Sequence, residues 1–149
     1  MALTLSTGAR ALMLDGFEAF MVVGASQATL TVYQNETALA VFNLGASSTG
    51  TPFGTAVLDS LALSSATYTV PVSNTGTAVA GTANKFILNT QTASTPALTG
   101  SISAVGGGGD IQVPSLAVTA VATSCRLNQF TIRMASNGAL SVEASLTLV

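Results

Sequence analysis

Residues 126–149, RLNQFTIRMASNGALSVEASLTLV, decide the fold class of this chain. Phe130, Ile132 and Met134 alternate with polar neighbours over 126–135, and Leu140, Val142, Ala144, Leu146 and Leu148 alternate with Ser141, Glu143, Ser145 and Thr147 over 140–149. Two runs of period two joined by Ser136-Asn137-Gly138 predict an antiparallel hairpin, because Asn-Gly accepts the positive φ of a tight turn. Register is held by the apolar row, since a slip of one residue would turn all of it to water.

The same alternation runs back toward the N-terminus. Over 28–34, Leu30 and Val32 face away from Thr29, Thr31 and Tyr33, and a short polar turn at 34–37 leads into a second strand at 39–44. Further strands are predicted at 55–63, 67–72, 77–80, 85–90, 98–105, 111–113 and 116–123, bounded by Gly45, Pro52, Asn74-Thr75-Gly76, Gly81 and Pro96. Such a series, with turns roughly every ten residues, is the mark of a sandwich or barrel. The expectation is one domain over 1–149, mainly β, a jelly-roll-like sandwich with one helix packed on it. The polar run at 45–54, GASSTGTPFG, reads as a loop or arm.

That helix is predicted over 6–22. Ala9, Leu12, Met13, Gly16, Phe17, Phe20 and Met21 repeat with helical spacing and form one apolar stripe. Ser6 or Thr7 caps its start and Gly24 stands where it stops. In this reading Asp15 and Glu18 lie opposite the stripe, and Leu14 and Val22 also fall outside it, on an outer face that a neighbouring molecule covers.

Composition narrows the function. The 149 residues include no histidine, no tryptophan, one cysteine, four Lys+Arg and six Asp+Glu, with 48% hydrophobic residues. A chain so poor in general bases and metal ligands is not expected to be an enzyme, and no cofactor or metal is expected. A net charge of −2 offers no footprint for a phosphate backbone, which argues against nucleic acid. Although mean hydropathy is +0.60, polar residues interrupt every uncharged stretch, so no membrane span is predicted. The N-terminus does not read as a signal peptide, and the sequon Asn35-Glu36-Thr37 is read as a chance match.

Individual motifs have structural readings. Gly106–Gly109 are followed by Asp110-Ile111-Gln112-Val113, which opens a strand, so they mark a turn and not a phosphate cradle. Cys125 follows an apolar approach and reads as a buried, inert thiol. Asp15 and Glu18, three apart, read as a solvated or intersubunit face, and Lys85 as the decoration of a strand. Arg126 and Arg133, seven apart on one strand, are expected on opposite faces, with one of them pairing with Asp59, Glu143 or a partner's carboxylate.

Several short segments carry a resemblance: Leu5-Ser6-Thr7-Gly8-Ala9-Arg10-Ala11 ahead of an amphipathic helix, Thr29-Leu30-Thr31-Val32-Tyr33, Leu39-Ala40-Val41-Phe42, Pro52-Phe53-Gly54, Gly81-Thr82-Ala83-Asn84-Lys85-Phe86, and Leu98-Thr99-Gly100-Ser101-Ile102-Ser103 running into Gly107-Gly108-Gly109-Asp110-Ile111. In this order the chain resembles the capsid cement, or head-decoration, proteins of tailed bacteriophages. The resemblance implies a jelly-roll fold without catalytic residues, made in a bacterial cytoplasm and carried on the capsid exterior. Its partners would be the major capsid protein and copies of itself, as a homodimer or homotrimer. Contacts are expected at Leu14, Val22, Leu39, Val41, Arg126 and Arg133, because a sparsely charged edge such as 39–44 otherwise invites aggregation. The alternatives are a tail or collar module and a carbohydrate-binding sandwich, the latter poorly served by two tyrosines and no tryptophan.

Overall fold

A computed structural model describes residues 3–21, 28–44, 56–57, 65–90, 92, 95–121 and 125–148; at 7, 18, 56–57 and 65–72 it describes the backbone. In chain order the elements are α1 (Thr7–Met21), β1 (Thr29–Gln34), β2 (Thr37–Asn43), β3 (Ala56–Val57), β4 (Ser65–Ser73), β5 (Gly81–Thr82), β6 (Lys85–Asn89), β7 (Pro96–Ala104), β8 (Ile111–Val113), β9 (Ala117–Val118), β10 (Arg126–Met134) and β11 (Leu140–Thr147). The protein is mainly β. Its sheets have the orders β2-β1-β6-β7-β8, β11-β10-β4-β3 and β5-β9.

Alternation builds the core from both large sheets. Leu30, Val32, Phe42, Phe86 and Leu88 of the five-stranded sheet share one apolar cluster with Leu127, Phe130, Ile132, Val142 and Leu146 of the four-stranded sheet. Burying a side chain of this size stabilises the fold by about 1.5–3 kcal/mol. The terminal hairpin has the expected register, with Ile132 opposite Val142 and Met134 opposite Leu140. Its turn is closed by Gly138 at φ 84°. Cys125 is buried, donating its thiol hydrogen to the Leu148 carbonyl at 3.3 Å and its amide to Asn74 Oδ1 at 2.9 Å.

Two expectations about strands need correction. Residues 77–80 form no strand; the amides of Thr75 and Val79 donate to the carbonyls of Val41 and Leu39 at 2.7 and 2.8 Å and run along the outer edge of β2. Of the strand expected at 116–123, the described residues 116–121 form only β9, paired with β5. Within 55–63 the described residues are those of β3, and the loop at 45–54 lies outside the described residues.

The glycine run has a definite job. Strands β7 and β8 are parallel, Ile102 opposite Ile111 and Ala104 opposite Val113, although parallel neighbours ordinarily need a crossover of a dozen or more residues. Residues 105–110 make the return because Gly106 and Gly108 take φ of 83° and 78°, a region that glycine enters without steric cost. A Cβ on Gly109 would lie 2.8 Å from the Ser103 backbone nitrogen. The return is fastened by the Gly109 amide on Ser103 Oγ at 2.9 Å and the Gly106 amide on Gln112 Oε1 at 2.8 Å.

The helix starts where its sequence predicts, with the Ala9 amide on Ser6 Oγ at 3.2 Å. Its docked side is turned part-way round from the expected one: Phe17 and Met21 of the expected stripe do face inward, but Leu14, expected outside, joins them, and Leu12, Met13 and Phe20 do not. Leu14 is 3% exposed and sits in the core with Met21, beside buried Ala11 and half-buried Phe17, whereas Leu12, Met13 and Phe20 are 61%, 47% and 46% exposed. Apolar residues occupy both sides of this helix, so periodicity offers two stripes and packing chooses the one led by Leu14.

Candidate interaction surface

The outer face of α1 is the largest apolar exposure tied to a regular element among the described residues. On a helix of 3.6 residues per turn, Gly8, Leu12, Gly16 and Phe20 follow one ridge of i+4 steps opposite Leu14. A Cβ on Gly8 or on Gly16 would meet nothing within 4 Å, so both positions are open notches. Met13, Ala9 and Ala19 flank the ridge. The Arg10 guanidinium is turned away, donating to the Met134 carbonyl at 3.4 Å. Toward the N-terminus the surface continues past Leu5, whose amide donates to the Ser136 carbonyl, to the fully exposed Leu3.

The residues singled out from sequence divide. Leu14 and Leu39 are buried within the chain, at 3% and 2% exposure, so neither offers surface to a partner. Leu39 is covered because residues 75–83 lie over it: a Cβ on Gly81 would fall 2.7 Å from its Cδ2. Val41 is half-buried and its carbonyl is taken by Thr75, which closes the edge on which the expectation rested. Val22 lies outside the described residues.

Arg126 and Arg133 are both exposed on the same outward side of β10, contrary to their spacing. Strand pairing shifts between Leu127 and Gln129, and the extra residue of that bulge changes the phase of alternation, so that Leu127, Phe130, Ile132 and Met134 all point inward. Arg133 forms an ion pair with Glu143 at 3.0 Å. Arg126 reaches Asn128 Oδ1 at 3.1 Å, and no carboxylate among the described residues pairs with it.

Two polar surfaces complete the picture. A shallow cleft of about 550 Å³ beside β8 and β11 is lined by Asp110, Gln112, Arg133, Ser141 and Glu143. Its guanidinium is already neutralised by Glu143. Asp110 is tied to the neighbouring strand: its Oδ2 accepts the Ser101 amide and hydroxyl hydrogens, each at 2.8 Å. Those bonds, the backbone one foremost, hold the Asp110 carboxyl below its ordinary value of 3.8. At the β1–β2 turn, Asn35 at φ 54° exchanges two bonds with the Asn84 side chain, at 2.9 and 2.8 Å. Lys85 pairs with Glu36 at 3.1 Å and stands 5.3 Å from the centre of the Tyr33 ring. That ammonium occupies the ring face a sugar would stack on.

These contacts are structural ties with no nucleophile beside a base. Among the described residues there is no group of three or more His, Cys, Asp or Glu placed to hold a metal, and no helix is long and apolar enough to cross a membrane. No family model, no curated protein and no solved structure matches this chain.

Proposed function

We propose that this chain is a particle-coating structural protein, a jelly-roll-like sandwich that acts as a capsid cement protein on the head of a tailed bacteriophage. The observation that carries the reading is an exposed apolar helix face on a chain that has ten formal charges in all for a surface of 7126 Å². That is about one charge per 700 Å², where an ordinary domain with a quarter of its residues charged has several times as many. Such a surface is kept from indiscriminate association by being covered in the assembled state. Two sheets sharing one core, with the segment resemblance, support the jelly-roll reading.

The mechanism is mass action. A protein that binds the assembled lattice and not its dispersed subunits stabilises the lattice by its binding free energy. The outward side of β10 and β11, polar and carrying Arg126, supplies a wet, hydrogen-bonding surface for the major capsid protein. The apolar side of α1 serves contact between copies. A contact of standard size takes about 800 Å² per partner, roughly a tenth of this chain's surface.

The test is a count of copies per particle by mass spectrometry on purified virions that carry the chain. A cement role requires a number in fixed proportion to the major capsid protein. A small ring number would move the protein to the tail or collar, and absence from particles would end the reading.

A further inference from the structure

We infer that α1 pairs with α1 of a second copy of this chain, antiparallel, about a two-fold axis level with Leu14. The inference deepens the coating role proposed above, on which it rests for its purpose, by naming what covers the helix.

The ridge is self-complementary. Reading from its N-terminal end it runs small, large, small, large: Gly8, Leu12, Gly16, Phe20. Its midpoint is position 14. Rotation about an axis there brings each Leu12 to the height of Gly16 of the second copy and each Phe20 to the height of Gly8 of the second copy. Both glycines are open notches with nothing within 4 Å of a would-be Cβ, which leaves room at the helix surface for a side chain from another molecule. A two-fold contact demands this property of a patch, that it fit itself when reversed. The i+4 ridges of two such helices interdigitate at the crossing angle commonest in globular proteins.

The area is in proportion. Leu12, Met13 and Phe20, at 61%, 47% and 46% exposure, each present on the order of 100 Å². With Ala9, Ala19, the two glycines and Leu3 they make up a large share of the roughly 800 Å² a stable partner covers. No ionised side chain has to be desolvated on the ridge itself. A parallel pairing would set Phe20 against Phe20 and Gly8 against Gly8, leaving the notches empty.

Sedimentation velocity on the full chain tests this, with a 14.8 kDa monomer as reference. The wild type is expected at twice the monomer mass. Gly16→Leu fills the notch from outside, adds a Cβ that meets nothing within 4 Å and favours helix, so it is expected to keep the far-UV circular dichroism while weakening dimerisation at least tenfold. Phe20→Glu is expected to do the same by charge. For orientation, a mixture of Gly8→Cys and Phe20→Cys chains is expected to form a mixed disulfide under mild oxidation, while neither variant cross-links alone. A monomeric wild type, a Gly16→Leu dimer of undiminished affinity, or Phe20→Cys cross-linking to itself would each overturn the inference. Binding to phage heads is read separately: monomers that decorate heads defeat this pairing and spare the coating role, and dimers that ignore heads do the opposite.

Discussion

Gly100 shows how a single position in a strand is dictated by its cross-strand neighbour. It lies directly opposite Phe86, and a Cβ there would fall 2.5 Å from the ring of this fully buried side chain. Gly100→Ala is therefore expected to lower stability by about 1–3 kcal/mol, the usual cost of overpacking a core, measured by urea denaturation. The segment around Gly100 is legible as a strand, but the demand for glycine is not, because it comes from a partner fourteen positions away that no local pattern reveals. Asp110 is a similar case: isolated in sequence, it is clasped by Ser101 in the fold. Its folded pKa lies below the unfolded 3.8, so its contribution is complete above that pH and fades as pH falls through the folded value. Melting temperatures taken between neutral pH and pH 2 should drop more steeply below pH 3.8 for the wild type than for Asp110→Ala.

At the level of elements, α1 separates what spacing settles from what it leaves open. Its start is legible to within a residue, 6 expected against Thr7 observed, and the described residues stay helical through Met21, because capping and apolar content are local. Its facing is not, since Leu12, Met13 and Phe20 compete with Ala11 and Leu14 for the inside. Leu14→Ala is expected to destabilise by about 2–5 kcal/mol, whereas Leu12→Ala at concentrations where the chain is monomeric should stay within about 0.5 kcal/mol of wild type, both by chemical denaturation. A larger loss from Leu12→Ala than from Leu14→Ala would mean that the helix is docked on its other side. The shift at Leu127–Gln129 is likewise invisible in sequence, and it alone brings Arg126 and Arg133 to one side. From Phe130 onward the β10–β11 hairpin is, by contrast, readable, because its alternation and its Asn-Gly turn agree with the tertiary contact.

For the whole molecule, cohesion comes from apolar burial and backbone pairing, with charge nearly absent. The two ion pairs of the described residues leave Arg133, Glu36 and Glu143 well exposed, and exposed pairs contribute at most about 1 kcal/mol each. Raising NaCl from about 0.01 M to about 1 M, which collapses the screening length from roughly 30 to 3 Å, should move the melting temperature by less than about 4 °C. A larger fall would show that charge holds the fold together. The β class and the one shared core were legible because alternation repeats along most of the chain; the closed edge of β2 was not, because the backbone that closes it, residues 75–79, carries no strand pattern. The return through residues 105–110 has a kinetic corollary. It makes a parallel contact local, with Ile102 and Ile111 nine positions apart, while Leu30 must wait for Leu88. Loop closure favours the nearer pair, so this corner should assemble early, and Ile111→Val should slow refolding by a larger share of its equilibrium effect than Leu88→Ala does.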